Sequence, residues 1–186
     1  MKVLNVGGGT SRISDQRYFG WEQRILDIDP AVNPDILLDA KEMNTLEARS
    51  YDAVYCSHNL EHFYFHEVPL VLEGFIHVLK EDGFAEIAVP NLTNLFQEMH
   101  RHNLDIMDVW YRTGENNPIT FHDTLYGWNA AMKGGNLYYA HKCGFTASSL
   151  HAECVRAGFK SVWVAEQGAN LLAFAYKKEG VPCPQQ

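Results

Sequence analysis

A run of three glycines, a carboxylate twenty positions after the first of them and a set of histidines are the residues of this chain that could do chemistry. The glycines close the segment Lys2-Val3-Leu4-Asn5-Val6-Gly7-Gly8-Gly9-Thr10, in which Val3, Leu4 and Val6 read as a buried strand that turns sharply. Glycine lacks Cβ, so it takes positive φ easily and lets a ligand lie against the backbone. A second apolar stretch, Ile25-Leu26-Asp27-Ile28-Asp29-Pro30, ends in carboxylates. At the end of the second strand of a nucleotide-binding α/β sheet, a carboxylate accepts hydrogen bonds from ribose hydroxyls. Together these segments predict a site for an adenine-containing cofactor. The dinucleotide fingerprint G-x-G-x-x-G also needs a third glycine for close helix packing. Gly7 and Gly9 supply two of the three, but Arg12 stands at the third position.

His58 follows an apolar stretch at 51–57, at the end of a strand where open α/β sheets bind ligands. It is the first candidate for a general base; the competing reading is a residue that only touches the cofactor. His58, His62 and His66 are spaced to share one helix face, a pattern that can hold a metal. A helix starting near Leu60 leaves His58 outside it, with Glu61 pointing elsewhere, so no metal site is expected. His62 reads as a structural or substrate-orienting residue. Tyr138 and Lys142 have the Tyr-x-x-x-Lys spacing of short-chain dehydrogenases, but Cys143-Gly144 breaks the segment at once and the match reads as coincidence.

The elements that must position these residues alternate between strand and helix over the first 105 residues, as in a parallel α/β sheet. Strands are predicted at 2–6, 24–28, 35–38, 51–57 and 83–89, and helices near 13–20, 41–48, 60–80 and 92–103. Gly83 after Leu79-Lys80 reads as a helix stop. A helix over 146–157 starts from Thr146 and ends at Gly158. Two strands, 161–165 and 171–176, then form a hairpin about Gln167-Gly168. The expected domain spans 1–180, with a frayed tail at 181–186. Residues 104–145 have little periodicity but many aromatics and histidines, among them Trp110, Tyr111, His122, Trp128, Tyr138, Tyr139 and His141. A connection of this length is uncommon in a compact domain, and its aromatic content argues against disorder. It reads as a lid and acceptor pocket, with His122 and His141 as further candidates to meet the acceptor. A homodimer interface and local packing are the alternatives.

Along nearly its whole length the chain resembles the class I S-adenosylmethionine-dependent methyltransferases. Asn5-Val6-Gly7-Gly8-Gly9-Thr10-Ser11 resembles their motif I, with Asn5 in place of the usual acid and Ser11 in place of the last glycine. Asp27 falls where the family's ribose-binding acid sits, and Leu38-Asp39-Ala40 resembles the segment that brackets the adenine. Tyr51 to His62, with its Leu60-Glu61-His62 ending, resembles the fourth-strand motif. Val78 to Gly83 followed by Ile87 to Asn91 resembles the helix-turn-strand that closes the core. The resemblance implies a Rossmann-like, seven-stranded, mostly parallel sheet with helices on both faces and a C-terminal antiparallel hairpin. It also implies S-adenosyl-L-methionine as cofactor, held by Asn5, Gly7, Gly8, Gly9, Asp27, Ile28, Asp39, Ala40, Ser57 and His58. The stretch His141 to Thr146, with Leu125-Tyr126-Gly127 and Ala157-Gly158-Phe159, is similar to a subgroup of small bacterial methyltransferases, some linked to cell-surface polysaccharide assembly. That likeness favours O-methylation of a sugar or another small polar acceptor.

Composition sets the outer limits. Acidic residues outnumber basic ones, 23 to 15, which argues against the phosphate contacts of a nucleic-acid binder. No apolar run approaches the roughly 20 residues that span a bilayer. The first strand begins at residue 2, so no signal peptide or preceding helical cap is expected. The four cysteines lack zinc-type spacing, and reduced thiols in a cytoplasm are the economical reading. Two rivals stand beside the methyltransferase reading: a binding module of the same fold that has lost cofactor affinity, and a nicotinamide-dependent oxidoreductase.

Overall fold

The computed structural model describes residues 1–114 and 116–183. Among the described residues, nine strands and five α-helices follow one another. The first half carries β1 (Lys2–Val6), β2 (Glu22–Asp27), β3 (Ile36–Leu37), β4 (Tyr51–Ser57), α1 (Val68–Val78) and β5 (Leu79–Pro90). Then come α2 (Leu92–His102), β6 (Val109–Arg112), β7 (Pro118–Thr120), α3 (Phe121–Tyr126) and α4 (Asn129–Lys133). The chain closes with α5 (Ala147–Ala157), β8 (Ser161–Gln167) and β9 (Asn170–Tyr176). Seven strands form one sheet in the order β3-β2-β1-β4-β5-β9-β8, and β6 and β7 pair separately. β1 to β5 run parallel, whereas β9 lies antiparallel between β5 and β8. The order reverses direction beside β1, which places the ends of β1 and β4 at a topological switch point where ligands bind in open sheets.

Alternate residues of each strand face opposite ways. Leu4, Val6, Val54, Cys56, Ile87 and Ala173 face the main core, where Val71, Leu72 and Phe75 of α1 and Leu150 of α5 cover them. The other face carries Val3 and Ala53, with Tyr55 and Phe84 packed beside them, and residues Ile13, Tyr18 and Trp21 cover it. The helix expected at 13–20 is there only a 3-10 turn, Gln16–Tyr18, whose cap is the Asp15 carboxylate. Tyr18 anchors this cover by donating its hydroxyl proton to Glu86 Oε2 at 2.7 Å, and Arg17 Nη2 donates to Glu86 Oε1 at 2.9 Å.

Three other expected elements differ. The helix at 41–48 is a 3-10 stretch, Ala40–Thr45, capped by Asp39. The helix predicted over 60–80 is a single turn at Leu60–His62, a break, and then α1. Pro69 explains the break, because proline fits the first turn of a helix but clashes with an earlier one. Gly83 is not a helix stop: α1 ends at Val78 and Gly83 lies inside β5, where a Cβ would come within 3.1 Å of Asp52 O. The aromatic segment after α2 folds into the β6–β7 hairpin, α3, α4 and a 3-10 turn at Leu137–Tyr139. α2 and this segment together leave and rejoin the sheet at one place, since Asn91, the cap of α2, and Phe145 form a parallel bridge. Of the expected tail, Val181 accepts a hydrogen bond from Trp163 Nε1 at 3.1 Å, and residues 184–186 lie outside the described residues.

Candidate active site

The glycine turn is built for its position. Gly7 has φ +69° and Gly9 φ +56°, conformations that L-residues adopt at a cost. A Cβ on Gly7 would overlap the carboxamide of Asn59 and lie 2.7 Å from its Cβ; one on Gly9 would meet nothing within 4 Å. Asn5 is 4% exposed and faces inward: its Nδ2 donates to Ser11 O at 3.0 Å, bracing the turn from below. A Cβ on Gly8 would lie 2.6 Å from Asn5 Cγ. At the end of β2, the Asp27 carboxylate accepts from Gly9 N and from Asp29 N, each at 2.9 Å.

These groups line a cleft of about 220 Å³ at the C-terminal ends of β1, β2 and β4. Gly7, Gly9, Asp27, Ile28, Asp39, Ala40 and His58, all expected site residues, lie on its wall. Asn5, Gly8 and Ser57 are not on that wall, and neither are His122 and His141. Sequence reasoning did not pick out Asn59 and Phe63 as site residues; the roof of Asn136, Leu137, Tyr138 and Tyr139 lies in the segment 104–145, where Tyr138 and Tyr139 were named but Asn136 and Leu137 were not. The roof is supplied by the aromatic segment, tied down where Asn136 Nδ2 donates to Asp29 Oδ2 at 3.2 Å. Its aromatic and apolar richness was the only sequence signal for it. Four acids (Asp27, Asp29, Asp39, Glu67) and two lysines (Lys41, Lys142) line the cleft. Lys41 is already neutralised by Glu67 at 2.8 Å and Asp39 at 3.4 Å.

Beyond β4 the chain bends at His58, a non-glycine residue with φ +50°. Its backbone N–H donates to Ala88 O at 2.8 Å, and its Nδ1 lies 3.4 Å from Glu61 Oε1. Glu61 therefore does not point away from the histidines, contrary to the sequence expectation. Its side chain is buried, and among the described residues neither carboxylate oxygen has a hydrogen-bond partner of good geometry. His141 Nε2 lies 4.0 Å from Glu61 Oε1. The His141 Nδ1 lies 2.9 Å from Thr124 O, which fixes the proton on Nδ1 and leaves Nε2 with a free lone pair. His62 stands between, with Nδ1 3.0 Å from Ala140 O and Nε2 3.1 Å from His58 O. His66 is elsewhere, stacked on Tyr64. His122 packs on Tyr126.

The electrostatics follow from this grouping. Burial would raise the Glu61 pKa, but the neighbouring His58, His62 and His141 rings outweigh it and hold the carboxyl below its ordinary value. For His58, burial pulls the pKa down and the Glu61 carboxylate, which pulls it up, prevails. Burial leads in lowering His141, whose ring stays neutral. The backbone of Glu61 also holds the aromatic segment, since Lys142 N and Cys143 N both donate to its carbonyl, at 2.8 and 3.2 Å.

No protein-family model and no curated protein sequence matches the chain. Solved structures do match it. A SAM-dependent methyltransferase from Archaeoglobus fulgidus superposes with a TM-score of 0.62 at 15% identity, over 94% of this chain and 85% of that one. A 1,6-didemethyltoxoflavin-N1-methyltransferase from Burkholderia thailandensis, solved with S-adenosylhomocysteine, gives 0.54 at 16% identity, over 96% and 71%. A possible histamine N-methyltransferase from Thermotoga maritima gives 0.58 at 13% identity, over 95% and 82%. The chain has the class I methyltransferase fold.

Proposed function

We propose that the protein is an S-adenosylmethionine-dependent methyltransferase, acting in the cytoplasm on a small molecule or glycan precursor, most simply at a hydroxyl. The observation that carries this reading is the charge of the cleft. Four carboxylates against two lysines, one of them already paired, suit a sulfonium cation and oppose the pyrophosphate of a nicotinamide dinucleotide. The rest of the wall fits a nucleoside: Asp27 at the ribose position, Ile28 and the Leu38-Asp39-Ala40 bracket for adenine, and the bare, positive-φ Gly9 where backbone must come close.

When bound, S-adenosylmethionine supplies an electrophilic methyl carbon on a cationic sulfur. The protein's own work is to orient the acceptor and to take its proton. We assign the proton to His58. Its Nδ1 lies 3.4 Å from the buried Glu61 carboxylate, which leaves Nε2 to accept a proton from an acceptor hydroxyl. Glu61 positions the ring and stabilises the imidazolium that forms, and the strained His58 backbone sets the ring at the mouth of the cleft. His122 and His141 are given no part in proton transfer, because neither reaches the cleft wall. The exposed roof residues Leu137, Tyr138 and Tyr139 offer stacking surface to a sugar face or a planar ring.

One observation favours a second reading, a binding module of weak cofactor affinity: both Asp27 oxygens already accept backbone N–H groups, and Asn59 covers Gly7. Transfer of a labelled methyl group from S-adenosylmethionine to a panel of nucleotide sugars and small hydroxylated metabolites separates the two. Label in any acceptor, lost in His58→Ala, supports the enzyme. Cofactor binding without transfer to any acceptor would favour the module, and preference for NAD over S-adenosylhomocysteine in a competition experiment would overturn both.

A further inference from the structure

The Glu61 carboxylate is the least satisfied polar group in the described structure. It lies wholly inside the protein, carries charge, and neither oxygen receives a hydrogen bond of good geometry among the described residues. A buried charge in that condition is costly unless something pairs with it. His58 Nδ1 stands 3.4 Å from Oε1 without forming such a bond, and beyond it lie two further imidazoles. One nitrogen of His62, one of His141 and one Glu61 oxygen all lie within 4.8 Å of one another.

We propose that Glu61, His62 and His141 form a binding site for a single zinc-type divalent cation. Two imidazoles and a carboxylate are a ligand set that zinc uses, with a fourth position left for water. Zinc bonds of about 2.0–2.1 Å in a tetrahedron put ligand atoms roughly 3.3 Å apart, so the three side chains must close by an ångström or so. His141 is already prepared: Nδ1–H donates to the Thr124 carbonyl and the Nε2 lone pair faces Glu61, the arrangement in which an outer carbonyl fixes the tautomer of a ligating histidine. His62 has the same support from Ala140 O, and its other ring nitrogen exchanges the His58 carbonyl for the ion. Entry is from the cleft, whose wall includes His62.

Such a site joins two distant parts of the chain. Glu61 and His62 follow β4, whereas His141 closes the aromatic segment that roofs the cleft. The ion would fasten that segment to the turn that follows β4. The site does not depend on the methyl-transfer reading. Occupancy would, however, withdraw the carboxylate that pairs with His58.

The test uses the full chain freed of metal with chelator and titrated with zinc chloride by calorimetry, with cobalt chloride as an optical probe. The expected result is one equivalent bound, a raised melting temperature and the intense visible absorption of four-coordinate Co²⁺. Glu61→Gln and His141→Ala each weaken binding by roughly tenfold or more, and His62→Ala does likewise. His66→Ala, outside the cluster, leaves it unchanged. Should Glu61→Gln fail to fold, His141→Ala decides, because that side chain is held at a loop end. No binding by the folded wild-type chain would overturn the proposal. So would binding that survives His141→Ala, which would place the ion at a surface histidine or at Cys183.

Discussion

Replacing Gly7 by alanine tests the geometry of the cleft without any ligand. Two costs apply. Alanine at φ +69° pays for a left-handed backbone, about 1–2 kcal/mol. Its Cβ also overlaps the Asn59 carboxamide and lies 2.7 Å from Asn59 Cβ. The carboxamide is the end of a movable side chain, whereas Asn59 Cβ moves only with its backbone, so overpacking adds about 1–3 kcal/mol. The expected loss is therefore about 2–5 kcal/mol in chemical denaturation. Gly9→Ala is the control: φ is +56° and nothing lies within 4 Å of the added carbon, so only the backbone cost of about 1–2 kcal/mol remains. Asn59→Ala, combined with Gly7→Ala, removes the movable part of the clash but not the Cβ contact. It should return about 0.5–1.5 kcal/mol, seen as non-additivity in the double-mutant cycle. Equal losses for the two glycine variants, or strict additivity with Asn59→Ala, would refute the close approach of Asn59 to the turn.

Further outcomes concern the site and the thinly covered sheet face. Asp27→Ala should weaken S-adenosylhomocysteine binding by about 1–3 kcal/mol through lost charged hydrogen bonds, and unchanged affinity in calorimetry would mean the ribose contact is misplaced. His58→Ala should lower turnover more than cofactor affinity; equal losses in both would remove it from proton transfer. Glu86, whose pKa burial raises, contributes most when protonated, so its stabilising effect is full at low pH and is lost as pH climbs through its folded pKa. The stability advantage of wild type over Glu86→Gln should therefore shrink as pH rises above the ordinary glutamate value of about 4.3. An advantage that grows with pH would mean that pairing with Arg17 and Tyr18 outweighs the burial of the charge.

The sheet was legible because its strands are short apolar runs ended by glycine, proline or acids, and period and punctuation agree there. α2 and α5 were legible for a similar reason, since Asn91, Thr146 and Gly158 mark their ends through side-chain caps and a positive φ. The stretches 13–20 and 41–48 have helix-like composition but fold as 3-10 turns, because the Asp15 and Asp39 side chains cap the backbone locally and leave no full turn to propagate. On the cleft wall, Gly7 and Asp27 were visible as strand-end residues, and Asp39 through the resemblance of Leu38-Asp39-Ala40 to an adenine-bracketing segment. The meeting of Glu61 with His141 was not, since it depends on how a long aromatic segment returns to the sheet at Asn91 and Phe145. Local spacing put His62 and His66 on one helix face, but the chain breaks between them: His62 meets His141 and His66 stacks on Tyr64.

Calorimetric titration of the full chain with S-adenosylmethionine and S-adenosylhomocysteine tests most directly whether the cleft holds the cofactor. One site of micromolar affinity for each, weakened by Asp27→Ala, is the expected result. No heat of binding at millimolar cofactor from a folded, cooperatively melting protein would contradict it.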